Sequence, residues 1–432
     1  MKKTKIALVG LGTVGAGVAR LLLNHGERTT RHAGQEIWLE KAVVRDLEKI
    51  RDVELPKGVL TDQLEEVTEN PEIRCVVQLI GGVEPARTIM IRLLESGKDV
   101  VTANKTLLAE HGAELFDRAR ELGRSIAFDA AVAGGIPIVT NIGQCLAANR
   151  IESIHGILNG TCNFIISQME EHGVPYAQAV EEAQRRGYAE ADPTTDVDGS
   201  DAAQKLALLS HLAFGARVHW KDISRQGIES LGQIDLQYAR ELGYRLKLLA
   251  VARLEDDELE LHVGIQLVRS DSPMADVGGA YNAIRLVGDA VGRVWFHGMG
   301  AGRMPTASAV VADLIDSVVG RTAITFRTLQ LWSEKPARIL PRPSATTSTR
   351  YYLRFTVKDH PGVLAEITGA LGRQDISIAS FIQHERHEPD GARVPLIIMT
   401  HQTTVGAADR ALDEINQLEM VHEPAVRLRI LD

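Results

Sequence analysis

The sequence predicts an α/β protein in which a doubly wound parallel sheet is followed by a mixed α+β domain and a small C-terminal βαββαβ domain. Three patterns support this prediction. The first ~130 residues alternate apolar strand runs with amphipathic helical stretches, as parallel sheets with both faces covered do. After Pro137, long runs alternate apolar and polar residues, which indicates antiparallel strands with one covered face. The last ~80 residues show strands and helices in βαββαβ order.

A chain of 432 residues exceeds the size at which a single hydrophobic core stops growing, so several domains are expected. We place a first domain at 1–133, with a returning helix at about 303–334, and a second domain at 134–302. The stretch 335–349 contains three prolines and no periodicity, so it is predicted to be a linker. The remainder, 350–432, is predicted to be a separate ferredoxin-like module.

Strands and helices are predicted from these periodicities. In the first domain, strands are expected at Lys5–Val9, Ile37–Val44, Cys75–Ile80, Asp99–Thr102 and Ser125–Asp129, and helices at Ala16–Leu23, Glu84–Ser96 and Leu107–Leu122. In the second domain, strands are expected at Leu246–Leu254, Leu259–Val268 and Ala290–His297. In the last, strands are expected at Tyr351–Val357, Ser377–Gln383, Val394–Thr400 and Val426–Leu431, and helices at Gly362–Gln374 and Val405–Gln417.

A glycine motif at the start of the chain predicts a dinucleotide site. The first strand runs directly into a Gly-x-Gly-x-x-Gly turn that opens a helical stretch. Its first glycine permits the tight turn, its second lets the backbone approach a pyrophosphate, and its third allows the helix to pack closely on the strand. The first domain is therefore predicted to be a Rossmann domain. Its predicted cofactor residues here are Gly10, Gly12, Thr13, Val14 and Gly15.

Composition excludes several classes of protein. The net charge of -9 argues against nucleic acid as a partner. No apolar run reaches the ~20 residues of a membrane span, so no membrane partner is expected. The three cysteines are odd in number and widely spaced, which predicts neither a disulfide framework nor a zinc site and favours the cytoplasm.

Cofactor preference depends on the residues after the second strand, where an acidic side chain binds the NAD ribose and an arginine accommodates the NADP phosphate. Here Val44 is followed by Arg45 and Asp46. The Arg45 guanidinium favours NADP(H), while Asp46 leaves NAD(H) open. A solvated charged loop is the structural alternative.

Two polar segments are candidates for chemistry. Thr102–Lys105 stands at the carboxyl end of the fourth strand, where open α/β sheets place their ligands. Gly187–Lys205 concentrates carboxylates, among them Asp192, ahead of a helix that carries Asp201 and Lys205 one turn apart. A calcium loop is excluded because Lys205 would stand at the twelfth position, which requires a glutamate. We expect the carboxylates to hold the ammonium group of an amino-acid substrate.

These motifs, in this order, resemble the homoserine dehydrogenase family over essentially the whole chain. The shared blocks are Gly10–Gly15, Thr102–Lys105, Ala133–Pro137, Asn159–Asn163, Gly187–Asp196 and Gly300–Ser308. The tail, in which Asp359-His-Pro-Gly362 opens a helix, is similar to an ACT domain, a regulatory fold that binds amino acids.

The resemblance implies NAD(P)H-dependent interconversion of L-aspartate 4-semialdehyde and L-homoserine, within threonine and methionine biosynthesis. Lys205 would donate the proton to the aldehyde oxygen, and Lys105 would assist at the substrate and the nicotinamide. Asp201 and Asp196 would orient the reacting groups. The remaining implied contacts are those of Glu190 with the substrate ammonium and of Gly187 with the cofactor.

The resemblance also implies a metal site and an effector site. A monovalent cation, Na⁺ or K⁺, would bind the carbonyls of Val132, Gly134 and Ile136, with Asp129 standing where the family has a glutamate. Threonine is the expected effector, acting as a feedback inhibitor, and its expected ligands are Asp359, Gly362 and Ser377. A homodimer or homotetramer is expected.

Other functions stay open on the residues alone. An aspartate dehydrogenase-like enzyme or another amino-acid semialdehyde reductase is the alternative within enzymes. A non-enzymatic amino-acid sensor that merely binds nucleotide belongs to a different class, and the joint presence of Lys105, Glu190, Asp201 and Lys205 argues against it. A thiol-acylating semialdehyde dehydrogenase would need a nucleophilic cysteine, for which none of the three has the setting.

Overall fold

A computed structural model of the chain describes residues 2–329, 331, 339–384 and 393–431. The chain divides into two compact units, each assembled from three stretches. Unit 1 comprises Met1–Ile154, Asp201–Ile223 and Tyr281–Leu340, and unit 2 comprises His155–Ser200, Ser224–Ala280 and Pro341–Asp432. The domain boundaries drawn from the sequence stay predictions. Parts of the predicted returning helix, 330 and 332–334, and of the predicted linker, 335–338, lie outside the described residues.

The strands of the described residues range from two to twelve residues in length. They begin with β1 Lys3–Val9, β2 Glu36–Val43, β3 Leu60–Thr61, β4 Ile73–Gln78, β5 Asp99–Thr102, β6 Ile126–Ala127, β7 Ile151–Ile157, β8 Ser224–Arg225 and β9 Tyr244–Glu255. They continue with β10 Glu258–Arg269, β11 Tyr281–Gly288, β12 Gly292–Met299, β13 Leu340–Pro341, β14 Ser348–Lys358, β15 Ile378–Ile382, β16 Arg393–Thr400, β17 Thr403–Thr404 and β18 Val421–Leu431.

The helices vary widely in length. They begin with α1 Thr13–Asn24, α2 Gly26–Ala33, α3 Glu65–Thr68, α4 Ala86–Glu95, α5 Lys105–Glu121, α6 Ile138–Thr140, α7 Gly160–His172 and α8 Tyr176–Arg185. They continue with α9 Thr194–Val197, α10 Ser200–Phe214, α11 Gln233–Glu241, α12 Arg303–Val319, α13 Arg321–Leu329, α14 Val363–Arg373 and α15 Val405–Ile415. Among the described residues, no helix combines the length and the apolar character that crossing a membrane requires.

The core of unit 1 is a parallel sheet of six strands in the order β3-β2-β1-β4-β5-β6. The chain winds outward from β1 in both directions, which confirms the predicted doubly wound sheet. The reversal falls between β1 and β4, and ligands of such sheets bind in the crevice at that point. Helix α12 packs against α1, where a Cβ on Gly17 would lie 3.0 Å from the Cβ of Ala307. These packed layers hold the β1–α1 turn in place.

The strand predicted at Ser125–Asp129 is longer at both ends than the strand in the structure. The structure has only β6, Ile126–Ala127, because Asp129 begins a 3-10 turn. The carboxylate of Asp129 accepts hydrogen bonds from the backbone N–H of Val139 (2.9 Å) and the hydroxyl of Thr140 (3.1 Å). These bonds fold the chain back on itself and end the strand.

Unit 2 contains a mixed sheet in the order β9-β10-β18-β14-β16-β15. Strands β9 and β10 form a long antiparallel hairpin, which confirms the alternating runs predicted there. The C-terminal elements β14, α14, β15, β16, α15 and β18 confirm the predicted βαββαβ order. Apolar residues of β14 and β16 pack with those of α14 and α15 in one buried cluster.

The C-terminal elements are joined to the rest of unit 2 through the sheet. Strand β18 pairs in parallel with β10, with Gln266 opposite Arg429. In the predicted linker, the Arg342 guanidinium donates to the carboxylates of Glu255 (2.6 Å) and Glu258 (3.1 Å) at the tip of the β9–β10 hairpin. The tail and the hairpin therefore share one continuous sheet.

A buried carboxylate joins β14 to α11. Asp235 is fully buried, and it accepts hydrogen bonds from Nε of Arg354 at 2.7 Å and from the hydroxyl of Tyr352 at 3.1 Å. It also accepts from the backbone N–H of Gly232 at 3.1 Å, which caps the start of α11. Tyr352 and Arg354 alternate along β14 with residues of the C-terminal core, so they occupy the opposite face of the sheet.

Replacing Asp235 with Asn is expected to destabilise the protein by about 3–5 kcal/mol, because the Arg354 guanidinium would stay buried without its counter-charge. Urea unfolding followed by circular dichroism should show a lower midpoint. As a control, Glu414→Gln removes the partner of Arg373 in an exposed ion pair and is expected to leave the midpoint unchanged. Equal midpoints for the two variants would contradict this role of Asp235.

Candidate active site

The β1–α1 turn has the shape that the glycine motif predicts. Gly10 adopts φ +102°, and a Cβ there would lie 3.0 Å from the backbone of Leu79. A Cβ on Gly15 would lie 2.3 Å from the Gly10 carbonyl oxygen, so both positions require glycine. At Gly12, which caps α1, nothing lies within 4 Å of an added Cβ. This open space adjoins the free N–H groups at the start of α1, including those of Thr13 and Val14, and fits a pyrophosphate.

The loop after β2 leaves Arg45 available and uses Asp46 internally. Arg45 is exposed. The carboxylate of Asp46 accepts hydrogen bonds from the backbone N–H groups of Glu48 (2.9 Å) and Lys49 (3.1 Å). Arg51 folds back on the same loop and donates to the Lys49 carbonyl at 2.7 Å. The acidic side chain that would bind a free ribose 2′-hydroxyl is therefore engaged by its own loop.

Lys105, Asp201 and Lys205 meet within unit 1. Asp201 Oδ1 lies 2.7 Å from Nζ of Lys105, and Asp201 Oδ2 lies 2.7 Å from Nζ of Lys205. One carboxylate therefore holds both ammonium groups. The side chain of Lys105 is 37% exposed and that of Lys205 only 10%, so the first faces solvent while the second is largely enclosed.

The placement of Lys105 depends on the cap of α5. Asn104 accepts a hydrogen bond from the backbone N–H of Leu107 at 3.0 Å, and its amide donates to the carbonyls of Ile80 and Gly82 at 2.8 and 2.6 Å. Lys105 thereby becomes the first residue of α5, where the helix dipole disfavours a cation. The Asp201 carboxylate offsets that cost. The hydroxyl of Thr106 donates to the side-chain oxygen of Gln204 at 3.2 Å and ties α5 to α10.

The charge state of Asp201 is fixed by its neighbours. Burial alone raises the pKa of a carboxyl group, but the charges of Lys205 and Lys105 outweigh it and hold the pKa of Asp201 well below its ordinary range. Asp201 is therefore ionised at neutral pH, as a group that binds two ammonium ions must be.

The acidic residues of the segment 187–198 in unit 2 differ in their hydrogen-bond partners and in their exposure. Asp192 accepts from the backbone N–H and the hydroxyl of Thr194 at 3.1 and 2.5 Å, and Asp198 caps Ser200 in the same manner. Asp192, counted from the sequence among the carboxylates available to a substrate, is thus used by its own turn. Glu190 is exposed, and Gly187 follows α8 with φ +73°.

Two site residues were not assigned from the sequence. The Asn159 amide donates to the carboxylate of Asp196 at 2.8 Å, while its oxygen accepts from the backbone N–H of Cys162 and caps α7. The hydroxyl of Thr161 donates to the carbonyl of Tyr188 at 2.7 Å. The start of α7 therefore positions the loop that carries Glu190 and Asp196. Asn159 and Thr161 belong to a block that the sequence shares with the family, but their partners Asp196 and Tyr188 lie too far away in the sequence to be predicted.

The predicted metal ligand Asp129 is engaged by its own turn, and the cation site on the carbonyls of Val132, Gly134 and Ile136 stays a prediction. Both carboxylate oxygens of Asp129 accept hydrogen bonds from the turn at Val139 and Thr140, and the Ile136 carbonyl accepts one from Ile138. Burial raises the pKa of Asp129 to about 6. Across the described residues, no group of three His, Cys, Asp or Glu side chains is arranged to hold a metal ion.

The predicted effector turn lies at the start of α14. Gly362 caps the helix in the left-handed region, with φ +97°, and Asp359 and Ser377 are exposed. A Cβ on Gly362 would have nothing within 4 Å, so a side chain at this position would not crowd the start of the helix. The sensitivity of this position comes from its φ, which side chains other than those of Asn and Asp tolerate poorly.

An open pyrophosphate cradle on a doubly wound sheet and two lysines on one carboxylate define a nicotinamide-dependent oxidoreductase. Comparison with protein-family models agrees with this class and narrows it. The model described as "Homoserine dehydrogenase, NAD binding domain" matches residues 10–129, "Homoserine dehydrogenase" matches 137–315, and "ACT domain" matches 351–419. The chain belongs to the homoserine dehydrogenase family.

Relatives and solved structures cover the full chain. Homoserine dehydrogenases from Pseudomonas aeruginosa and Neisseria gonorrhoeae are 42% and 40% identical, each over 100% of this chain and 99% of the relative. The crystal structure of a homoserine dehydrogenase from Thiobacillus denitrificans is 42% identical, covers 100% of this chain and 99% of its own, and superposes with a TM-score of 0.92. The Staphylococcus aureus homoserine dehydrogenase superposes over 100% of this chain and 99% of its own with a TM-score of 0.76 at 30% identity. These findings confirm the family resemblance and the predicted fold class.

Proposed function

We propose that this chain interconverts L-aspartate 4-semialdehyde and L-homoserine with NADP(H) as the preferred cofactor. The observation that carries the proposal is the shared carboxylate of Asp201, which lies 2.7 Å from the ammonium groups of both Lys105 and Lys205. Two cations fixed side by side suit a reaction in which negative charge develops on an oxygen atom. The reduced nicotinamide supplies the hydride to the aldehyde carbon.

Lys205 is the proposed proton donor. As the aldehyde carbon is reduced, its oxygen gains charge, and the Lys205 ammonium stabilises that charge and transfers a proton to it. In the reverse direction, the neutral amine of Lys205 removes the hydroxyl proton of homoserine. Lys105, which is more exposed, is proposed to contact the substrate oxygen and the nicotinamide amide.

The substrate ammonium is assigned to Glu190, and Asp196 is proposed to orient the substrate. Glu190 is exposed, so its carboxylate is accessible to a ligand. Asp196 is held by the Asn159 amide at 2.8 Å, which limits the directions in which its other oxygen can act. Gly187 is proposed as a backbone contact of the cofactor. A monovalent cation on the carbonyls of Val132, Gly134 and Ile136 stays a prediction, and no step is derived through it.

Replacing Lys205 with Ala is expected to lower kcat by roughly two to four orders of magnitude, which is the usual contribution of a general acid, with little change in NADPH affinity. Stopped-flow and steady-state assays of homoserine oxidation would measure both quantities. Lys221→Ala is the matched control, because Lys221 is an exposed lysine paired with Glu110 at 3.2 Å and should keep its kcat. A Lys205→Ala enzyme with turnover close to that of the parent would refute the assignment.

Replacing Arg45 with Ala is expected to weaken NADPH by roughly 1.5 to 3 kcal/mol, because a charge-assisted hydrogen bond to the 2′-phosphate is lost, and to leave NADH almost unchanged. Fluorescence titration of both cofactors in one buffer would measure the difference. Arg31→Ala, at an exposed position of α2, controls for the loss of a surface charge. Equal losses for the two cofactors would make Arg45 a solvated loop residue.

Threonine is the proposed feedback inhibitor. It is proposed to bind at the turn of Asp359 and Gly362 with Ser377 and to act by changing the balance of two conformations.

A homodimer or homotetramer is the proposed assembly. Strand β15 lies at the edge of the sheet of unit 2 and carries the exposed ring of Phe381, which suits pairing between two copies of the chain.

Gly362→Asp is expected to abolish threonine inhibition and spare catalysis, because it places a carboxylate at the effector turn. Gly372→Asp is the matched control, since it adds the same charge near the other end of α14 at an exposed position with nothing within 4 Å of the new Cβ. Initial rates over a range of threonine concentrations would test both. Unchanged inhibition of Gly362→Asp would place the effector elsewhere. Truncation after Pro343 is not a usable control, because it would remove β18 from β10 and Arg354 from Asp235.

A further inference from the structure

The loop after β2 is built around one guanidinium group. Arg51 is half-buried, and its side chain donates to the backbone carbonyls of Asp46, of Leu47 at 3.5 Å and of Lys49 at 2.7 Å. The apolar side chains at the tip of this loop, Leu47 and Ile50, are 43% and 95% exposed, so apolar burial contributes little to its shape. The shape of the loop therefore depends on hydrogen bonds from Arg51.

Asp52, the next residue, joins this loop to two helices of unit 1. Its carboxylate lies 3.1 Å from Nη2 of Arg20 on α1 and accepts a hydrogen bond from Nη1 of Arg303 on α12. Nη2 of Arg20 also donates to the backbone carbonyl of Asp52 at 2.7 Å. The hydrogen bond from Arg303 and the charge of Arg20 hold the pKa of Asp52 below its ordinary value, so the carboxylate is ionised at neutral pH.

The two helices support the loop as one body. A Cβ on Gly17 of α1 would lie 3.0 Å from Cγ and 3.1 Å from the carbonyl oxygen of Arg303, so the helices touch close to the side chains that bind Asp52. Arg303 is the first residue of α12, where the helix dipole disfavours a cation. The Asp52 carboxylate offsets that cost and places the loop against both helices.

Helix α1 also begins at the pyrophosphate cradle. Thr13 is its first residue, and Arg20 lies about 10 Å further along the helix axis. The contacts of Asp52 with Arg20 therefore fix the loop that begins at Arg45 relative to the N–H groups at the start of α1. A cofactor with a phosphate on its adenosine ribose must bind at both places at once, so a loop held in position lowers the entropy cost of binding it.

We propose that Asp52, together with Arg51, is a positioning residue for cofactor discrimination: the two side chains hold the loop so that the Arg45 guanidinium meets the 2′-phosphate of NADP(H). This inference rests on the proposed preference for NADP(H). Neither side chain is assigned to the cofactor itself, because Arg51 is engaged by loop carbonyls and Asp52 is an anion, which a phosphate repels.

The charge of Asp52 and its position in the loop have opposite effects on an anionic cofactor. If only the charge mattered, Asp52→Asn would strengthen the binding of NADP(H), because a negative group near the phosphates would be removed. If Asp52 positions the loop, the same substitution weakens the binding. The side chain of Asp52 is 66% exposed, and exposed ion pairs contribute little to overall stability, so the melting temperature is expected to stay unchanged.

Cleavage of the free enzyme by a lysine-specific protease measures the loop directly. The bond between Lys49 and the exposed Ile50 lies at its tip, and the Lys49 carbonyl is bound by Arg51. Asp52→Asn and Arg51→Met are each expected to accelerate cleavage at this bond at least about threefold, as followed by mass spectrometry, because the loop opens locally more often. Glu54→Gln, the matched control, removes the same charge from an exposed position of the same loop and should leave the rate unchanged. Equal rates for Asp52→Asn and Glu54→Gln would overturn the proposal.

Steady-state kinetics of homoserine oxidation then measure the effect on the cofactor. Asp52→Asn is expected to raise KM for NADP⁺ about fivefold, and to change kcat and KM for NAD⁺ by less than about twofold. In an Arg45→Ala background the same substitution should have no further effect on NADP⁺, because it acts through Arg45. An unchanged or lower KM for NADP⁺, or an increase that persists without Arg45, would overturn the positioning role.

The two experiments separate this inference from the proposed function. Proteolysis is measured without cofactor and reports only on the loop. If Arg45→Ala weakens NADP⁺ and NAD⁺ equally, the proposed preference for NADP(H) fails, and the inference fails with it. If Arg45→Ala is selective for NADP⁺ and Asp52→Asn is not, only the inference fails.

Discussion

Two ammonium groups that share one carboxylate set the strictest requirement on this protein. Lys105 and Lys205 repel each other, and burial penalises all three charges, so the cluster is stable only when Asp201 stays ionised between them. The spacing of Asp201 and Lys205 is a property of α10 alone. Lys105 arrives from the end of β5, so the parallel sheet and the Asn104 cap must both be in place before the cluster closes.

The requirement extends to the helices that carry the charges. Thr106 and Gln204 join the start of α5 to α10 at 3.2 Å, beside the ion cluster. The side chain of Lys205 is only 10% exposed, so water cannot readily replace its contact with Asp201 if α10 moves. The contacts around Asp201 therefore fix the position of α5 relative to α10. This position lies at the sheet edge where open α/β sheets bind their ligands.

The sequence was informative wherever a local pattern carries the structure. The glycine turn, the alternation of strand and helix, and the one-turn spacing of Asp201 and Lys205 follow from short-range rules, and the structure contains each of them. Local rules do not predict the hydrogen-bond partner of a side chain that can bind either a neighbouring residue or a distant one. Asp192 and Asp196 are chemically alike and four residues apart, yet the first caps Thr194 while the second binds the Asn159 amide. The partner of β18 is equally non-local, although Tyr351 and Tyr352, both buried and adjacent on one strand, signal that β14 is covered on both faces.

Strand β10 leaves the ribosome long before β18, which lies beside it in the sheet. During synthesis, the backbone N–H and C=O groups of Gln266–Val268 therefore stay unpaired until β18 is made. The side chains of β10 are largely buried in the folded protein. Such an edge is a template for pairing with other chains. Unit 2 therefore cannot complete its sheet until β18 has been synthesised, and the unpaired edge of β10 is exposed to other chains until then.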